Sequence, residues 1–159
     1  MLKTMSENDL VDRLGIEENI SKLGRSLDER DFEALRELFT PDASVTTPGG
    51  TATGHDALVE QAHARHSRDD GIQHVITNLL VEVDGDQASV RANLLVSFAH
   101  SGPADPAPFL LGEVYRFDLR RTAEGWRFTT LRSNPVWSLN RPAQIQLDAR
   151  RGGPGASSG

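Results

Sequence analysis

With 159 residues, 25% of them charged and 37% hydrophobic, the chain has the length and composition of one globular domain. It contains no cysteine, which removes disulfides and thiolate chemistry and suits a reducing compartment, so the expected location is the cytoplasm. A net charge of -6 with scattered basic residues argues against nucleic acid as a partner, and apolar runs such as Leu94-Leu95-Val96 are too short to span a membrane.

Residues 1–6 read as a flexible leader. From Glu7, the apolar residues Leu10, Leu14, Ile16, Ile20, Leu23 and Leu27 recur mostly at three- and four-residue steps and predict a helix over 7–29. Gly15 and Gly24 interrupt it, each at a cost of about 1 kcal/mol relative to alanine, which suggests a bend at Gly15 and a close contact at Gly24. Asp31 then reads as the N-cap of a second helix over 31–39, with Phe32, Leu35, Leu38 and Phe39 on its apolar face and Pro41 ending it. Residues 43–47 suit a short strand, Pro48-Gly49-Gly50 a loop, and 55–67 a third helix.

Past the break at 68–71 the pattern turns to strands, expected over 73–83, 88–100, 109–121 and 126–133. Asp84-Gly85-Asp86 marks a tight hairpin turn. Ala88, Val90, Ala92, Leu94, Val96 and Phe98 alternate along one buried face that ends at His100. A loop with three prolines fills 102–108, the domain spans 7–142, and the glycine-rich 143–159 reads as a disordered tail. Helices first and a meander of antiparallel strands after them predict a two-layer α+β domain, its helices packed on a curved sheet around one cavity.

Four stretches carry a resemblance. They are Ser26-Leu27-Asp28-Glu29-Arg30-Asp31-Phe32 with the Pro41-Asp42-Ala43 exit, Gly54-His55-Asp56-Ala57-Leu58, Gln73-His74-Val75-Ile76-Thr77-Asn78, and Gly112-Glu113-Val114-Tyr115 followed by Glu124-Gly125-Trp126-Arg127-Phe128. In order and spacing the chain resembles the SnoaL-like branch of the NTF2-like superfamily, in the group that includes scytalone dehydratase. The resemblance implies a cone-shaped roll around one pocket. It also implies an acid–base set of an Asp late in the first helix, a His opening the first long strand and a His near the end of the next: Asp28, His74 and His100. The tyrosine that precedes the helical Asp in that dehydratase is Leu27 here, and its Ser and Asn on the third long strand are replaced by Glu113 and Tyr115, so a different substrate is expected.

The residues support the same set on chemical grounds. A histidine in an apolar pocket with a carboxylate on one ring nitrogen has a fixed tautomer and a free base on the other. His74 and Asn78 share one strand face with Ile76 between them. Asp28, placed against the helix macrodipole, suits a partner for His74. Glu113 lies among Phe109, Leu111, Tyr115 and Phe117, where an unpaired carboxylate is costly, so Arg132 on the neighbouring strand is its expected partner. Asn78, Glu113, Tyr115 and Arg132 are the expected substrate contacts. Glu60, His63 and His66 read as a solvated helix face, no metal site or cofactor is expected, and neither a phosphate loop nor a serine elbow is present.

The function expected from this set is a cofactor-independent lyase, isomerase or cyclase, acting on a small apolar oxygenated molecule such as a polyketide or terpenoid intermediate. A different class is a non-catalytic ligand-binding or assembly subunit, similar to the small subunits of aromatic-ring dioxygenases. The series Val75, Thr77, Leu79, Val81 and Val83, apolar in character and opposite the His74 face, predicts a homodimer through the sheet.

Overall fold

The computed structural model describes residues 5–66, 71–99 and 108–141. The first helix, α1 (Glu7–Asp28), opens on a capping box in which Ser6 Oγ accepts the Asp9 N–H at 3.1 Å and Asp9 accepts the Ser6 N–H at 3.0 Å. Ser6 thus belongs to the helix start rather than to a leader. Ile16, Ile20, Leu23 and Leu27 are buried as expected, but Leu10 and Leu14 are 51% and 57% exposed. A polar clasp replaces apolar burial there: Arg121 grips Asp12 with two bonds of 2.7 and 2.8 Å, lies over the Trp126 ring, and Trp126 Nε1 donates to Asp12 at 3.1 Å. Two turns further on, Asn19 Nδ2 donates to the Trp126 carbonyl at 2.7 Å.

The second helix is much shorter than 31–39. Asp31 makes no side-chain cap, and the chain forms a 3-10 turn at Phe32–Ala34 and a single α-turn, α2 (Leu35–Leu38). Phe39 is already extended, since Pro41 disfavours helix in the residues before it. The strands are β1 (Phe39–Thr47), β2 (Gly50–Thr53), β3 (Gly71–Asp84), β4 (Gln87–Ala99), β5 (Phe109–Thr122) and β6 (Gly125–Leu139), with α3 (His55–His66) between β2 and β3.

The sheet order is β2-β1-β6-β5-β4-β3. Four neighbours pair antiparallel, but β1 runs parallel to β6, so the sheet is mixed where an antiparallel meander was expected. The connection through β2, α3 and the β3-β4-β5 meander lets the chain leave β1 and return beside it, as β6, in the same direction. β2 occupies part of the expected loop, turning back through Gly50 at φ 128°. Phe117, Phe128, Ile16 and Ile20 form the driest part of the core, between α1 and the sheet.

β3 changes face halfway along. Thr77 pairs with Asn93 and Leu80 with Arg91, so Asn78 and Leu79 together oppose one residue, a β-bulge. Asn78 takes φ 53° to make it. Before the bulge, even-numbered residues point inward. After it, Leu79, Val81 and Val83 turn to the core. The expected apolar series on the outer face is therefore broken, and only Val75 and Leu80 of β3 stand out as exposed large apolar residues.

Candidate active site

A cavity of about 590 Å³ lies between the three helices and the concave sheet face, with Leu27, Phe39, Leu94, Val96 and Leu131 among its apolar walls. Its volume is in the range of small-molecule sites, about 300–1,000 Å³. His74, 3% exposed at its side chain, enters from the first half of β3. Asp28, the last residue of α1, stands behind it: Oδ1 accepts His74 Nδ1–H at 2.6 Å and the His74 backbone N–H at 2.8 Å. A carboxylate accepts and does not donate, so the proton is on Nδ1 and Nε2 is left as a bare base on the cavity side. The two N–H donors also offset the unfavourable helix C-terminus at Asp28.

A second imidazole stands beside the first. His66, at the end of α3, lines the same cavity with its ring centroid 5.5 Å from that of His74. Its Nδ1 lies 2.8 Å from the Ala62 carbonyl, and its own carbonyl accepts from Arg30 Nε at 3.2 Å, which ties the end of α3 to the turn after α1. Burial, with the Arg65 charge adding to it, pushes its pKa down to about 4. This corrects the solvated reading of His66. The legible signal was the four-residue step Leu58, Ala62, His66 along the buried face of α3, not the three-residue step through His63. His63 packs on the Phe32 ring instead, at 4.6 Å.

Towards the cavity's other side, Tyr115 is buried on β5, and burial pushes its hydroxyl pKa up, with the Glu113 charge adding to the effect. Glu113 lines the cavity and accepts from Ser133 Oγ at 2.6 Å. Arg65 also lines it, donating from Nη2 to Thr47 Oγ1 at 2.5 Å, and a side chain on Gly49 would collide with that guanidinium. Sequence reasoning missed Arg65, Ser133 and Thr47, which reach the one cavity from α3, β6 and β1 only once α3 packs over the sheet.

Two expected contacts lie elsewhere. Arg132 points to the outer face, half exposed, and pairs with Asp118 at 3.1 Å, because Leu131 and Ser133 take the inward positions on β6. Asn78 is exposed at the bulge and does not border the cavity. His100 lies outside the described residues. Among the described residues, no three His, Cys, Asp or Glu side chains are grouped to hold a metal ion, and no helix is long and apolar enough to cross a membrane.

Comparison with known proteins agrees with this architecture. The family model for the SnoaL-like domain matches residues 8–132. An uncharacterised Mycobacterium tuberculosis protein, Rv2910c, is 29% identical over 125 residues, covering 77% of this chain and 84% of that protein. Among solved structures, a Novosphingobium aromaticivorans protein provisionally assigned as a scytalone dehydratase superposes with a TM-score of 0.77 at 23% identity, over 87% of this chain and 93% of that one. The Kfla4162 protein of Kribbella flavida gives 0.76 at 20%, over 88% and 97%. A type 3 LinA hexachlorocyclohexane dehydrochlorinase of Novosphingobium barchaimii gives 0.71 at 22%, over 82% and 90%. These likenesses establish a shared fold, and with the family match over most of the chain they place it: the protein belongs to the SnoaL-like family and has the NTF2-like α+β fold.

Proposed function

We propose that the cavity is the active site of a cofactor-independent acid–base enzyme, a lyase, isomerase or cyclase, acting on a small apolar oxygenated molecule such as a polyketide or terpenoid intermediate. The carrying observation is the His74–Asp28 pair at 2.6 Å, with one ring nitrogen held by a carboxylate and the other bare at an apolar cavity. His74 Nε2 takes a proton from carbon next to a carbonyl, and Asp28 stabilises the imidazolium formed. The Tyr115 hydroxyl, on the same cavity, donates to the developing oxyanion. Glu113 and Ser133 shape the polar side of the site. Two structural neighbours are named for losses of water and of hydrogen chloride, which supports an elimination among the reactions proposed.

Hydrogen–deuterium exchange of 2-tetralone in D2O, followed by NMR, tests this without the natural substrate. The wild type should accelerate exchange next to the carbonyl, and His74→Ala and Asp28→Asn should each lower the rate by about a hundredfold or more. The double variant should be scarcely slower than either single one, since residues acting as a unit are non-additive. Exchange that survives His74→Ala within a few-fold would transfer the base to another group. Binding without exchange in the wild type would favour the ligand-binding or assembly subunit reading.

We also propose a homodimer through the outer sheet face. Its support is not the broken series on β3 but a row across the strands: Val75 pairs with Leu95, Leu95 with Gly112 and Gly112 with Trp137. Val75, Leu95 and Trp137 are 44%, 41% and 48% exposed, and the indole lies against Gly112, where any side chain would collide with it. Sedimentation at micromolar concentration should give twice the 17.4 kDa chain mass, and Trp137→Glu should reduce it to one. A wild type that sediments only as a monomer overturns the dimer.

A further inference from the structure

The second imidazole of the cavity has no part in the His74–Asp28 pair, and its geometry specifies what it can do. A backbone carbonyl can only accept, so the 2.8 Å contact with Ala62 puts the ring proton of His66 on Nδ1 and leaves Nε2 as a lone pair. No described residue donates to that lone pair. The ring borders the cavity and packs between Phe32, at 5.8 Å, and His74, at 5.5 Å. Arg30 anchors the carbonyl of the same residue, so the ring has a fixed base as well as a fixed tautomer.

Resting on the acid–base reading of this cavity, we propose that His66 is a specificity residue: its Nε2 accepts a hydrogen bond from a hydroxyl group of the substrate, so the enzyme selects a molecule carrying an O–H close to the carbon that His74 deprotonates. With ring centroids 5.5 Å apart, the two Nε2 atoms reach neighbouring positions of one small molecule when each works at a hydrogen-bonding distance of about 3 Å. His66 stays neutral at physiological pH because burial opposes its charge, so it accepts and does not act as the general acid. A ligand with an ether or a bare carbon in this place leaves a half-buried acceptor unpaired, which is how a polar site rejects an analogue lacking a donor.

The test compares binding of 2-tetralol and its methyl ether by calorimetry, with the ring nitrogens of His66 followed by 15N NMR. The wild type should prefer the alcohol by about tenfold or more. His66→Phe should bring the two ligands within a few-fold of each other, and His66→Gln, which keeps an acceptor, should restore part of the preference. In the wild type, 2-tetralol should shift Nε2 of His66 and leave Nδ1 protonated. Equal binding of alcohol and ether, no binding of the alcohol at millimolar concentration, a preference that survives His66→Phe, or an Nε2-protonated tautomer overturns the proposal. Because the readout is equilibrium binding, it stands or falls apart from the exchange kinetics that test His74 as a base.

Discussion

The two halves of β3 differ in what they face, although they are one strand of 14 residues. The half before the bulge delivers Ile72, His74 and Ile76 inward, with His74 set among ionisable groups: Asp28, His66 and, through His66, Arg65. The half after it delivers Leu79, Val81 and Val83 to the hydrophobic core. Between them, Asn78 in the left-handed region lets one strand serve both purposes by changing which parity points inward. One extra residue therefore sets both the inward position of His74, the proposed base, and the side chains that reach the core.

Removing that residue should have the largest effect. Deleting Asn78 restores an unbroken ladder and slips one half by a position, and a one-residue slip sends every side chain of that half to the other face. Either Val81 and Val83 leave the core, or His74 leaves the cavity and Ile76 its place against the core, and the cost should be several kcal/mol. The expected outcome is loss of a cooperative thermal transition by circular dichroism. A deletion variant that melts like the wild type would show that the bulge is not needed to hold the two halves.

The second effect separates the halves by pH. The folded pKa of His66, about 4, lies below its ordinary 6.5, so the unfolded chain takes the proton first. Its contribution is present in full above about pH 6.5 and is lost as pH falls towards 4, to a limit on the order of 3 kcal/mol from about 1.4 kcal/mol per unit. Urea midpoints should therefore fall between pH 7.5 and pH 4.5, and His66→Gln should flatten much of that slope. Asp12, held below the usual carboxylate range by its bonds from Arg121, loses its contribution at lower pH and does not mimic the effect. An unchanged slope in His66→Gln would mean that this end of the cavity is as indifferent to acid as the core beyond the bulge.

The same strand shows what was legible in the sequence. Alternation carried the buried positions of β4 from Ala88 to Val96, because no bulge interrupts that strand, and it put His74 inward because His74 precedes the break. It failed at Asn78, since a left-handed residue inside a strand leaves no mark on hydrophobic periodicity. Arg132 was misplaced for a related reason: Glu113 found Ser133 on the inward parity of β6, while Arg132 found Asp118 on the other side. Leu10 and Leu14 kept helical spacing but not burial, because the Asp12–Arg121–Trp126 clasp joins residues more than a hundred positions apart, a contact no local pattern encodes. The closeness of His66 to His74 crosses from the end of α3 to the first half of β3, which the periodicity of neither element encodes.

The smallest effect isolates the conformation of the hinge residue itself. Asn78 is exposed, so substitutions there remove almost no buried contact, and what remains is the cost of φ 53°. Asparagine tolerates that region through its short polar side chain, glycine adopts it freely, and a β-branched residue crowds its own backbone. Asn78→Val should therefore destabilise by about 1–2 kcal/mol, while Asn78→Gly should stay within about 0.5 kcal/mol of the wild type, both measured as urea midpoints at neutral pH. The pair also bears on function. If the bulge only needs the left-handed conformation, Asn78→Gly keeps 2-tetralone exchange at the wild-type rate, since the residue does not border the cavity. A Gly variant that folds normally but loses exchange would mean that the Asn78 side chain, and not only its backbone, sets where His74 stands.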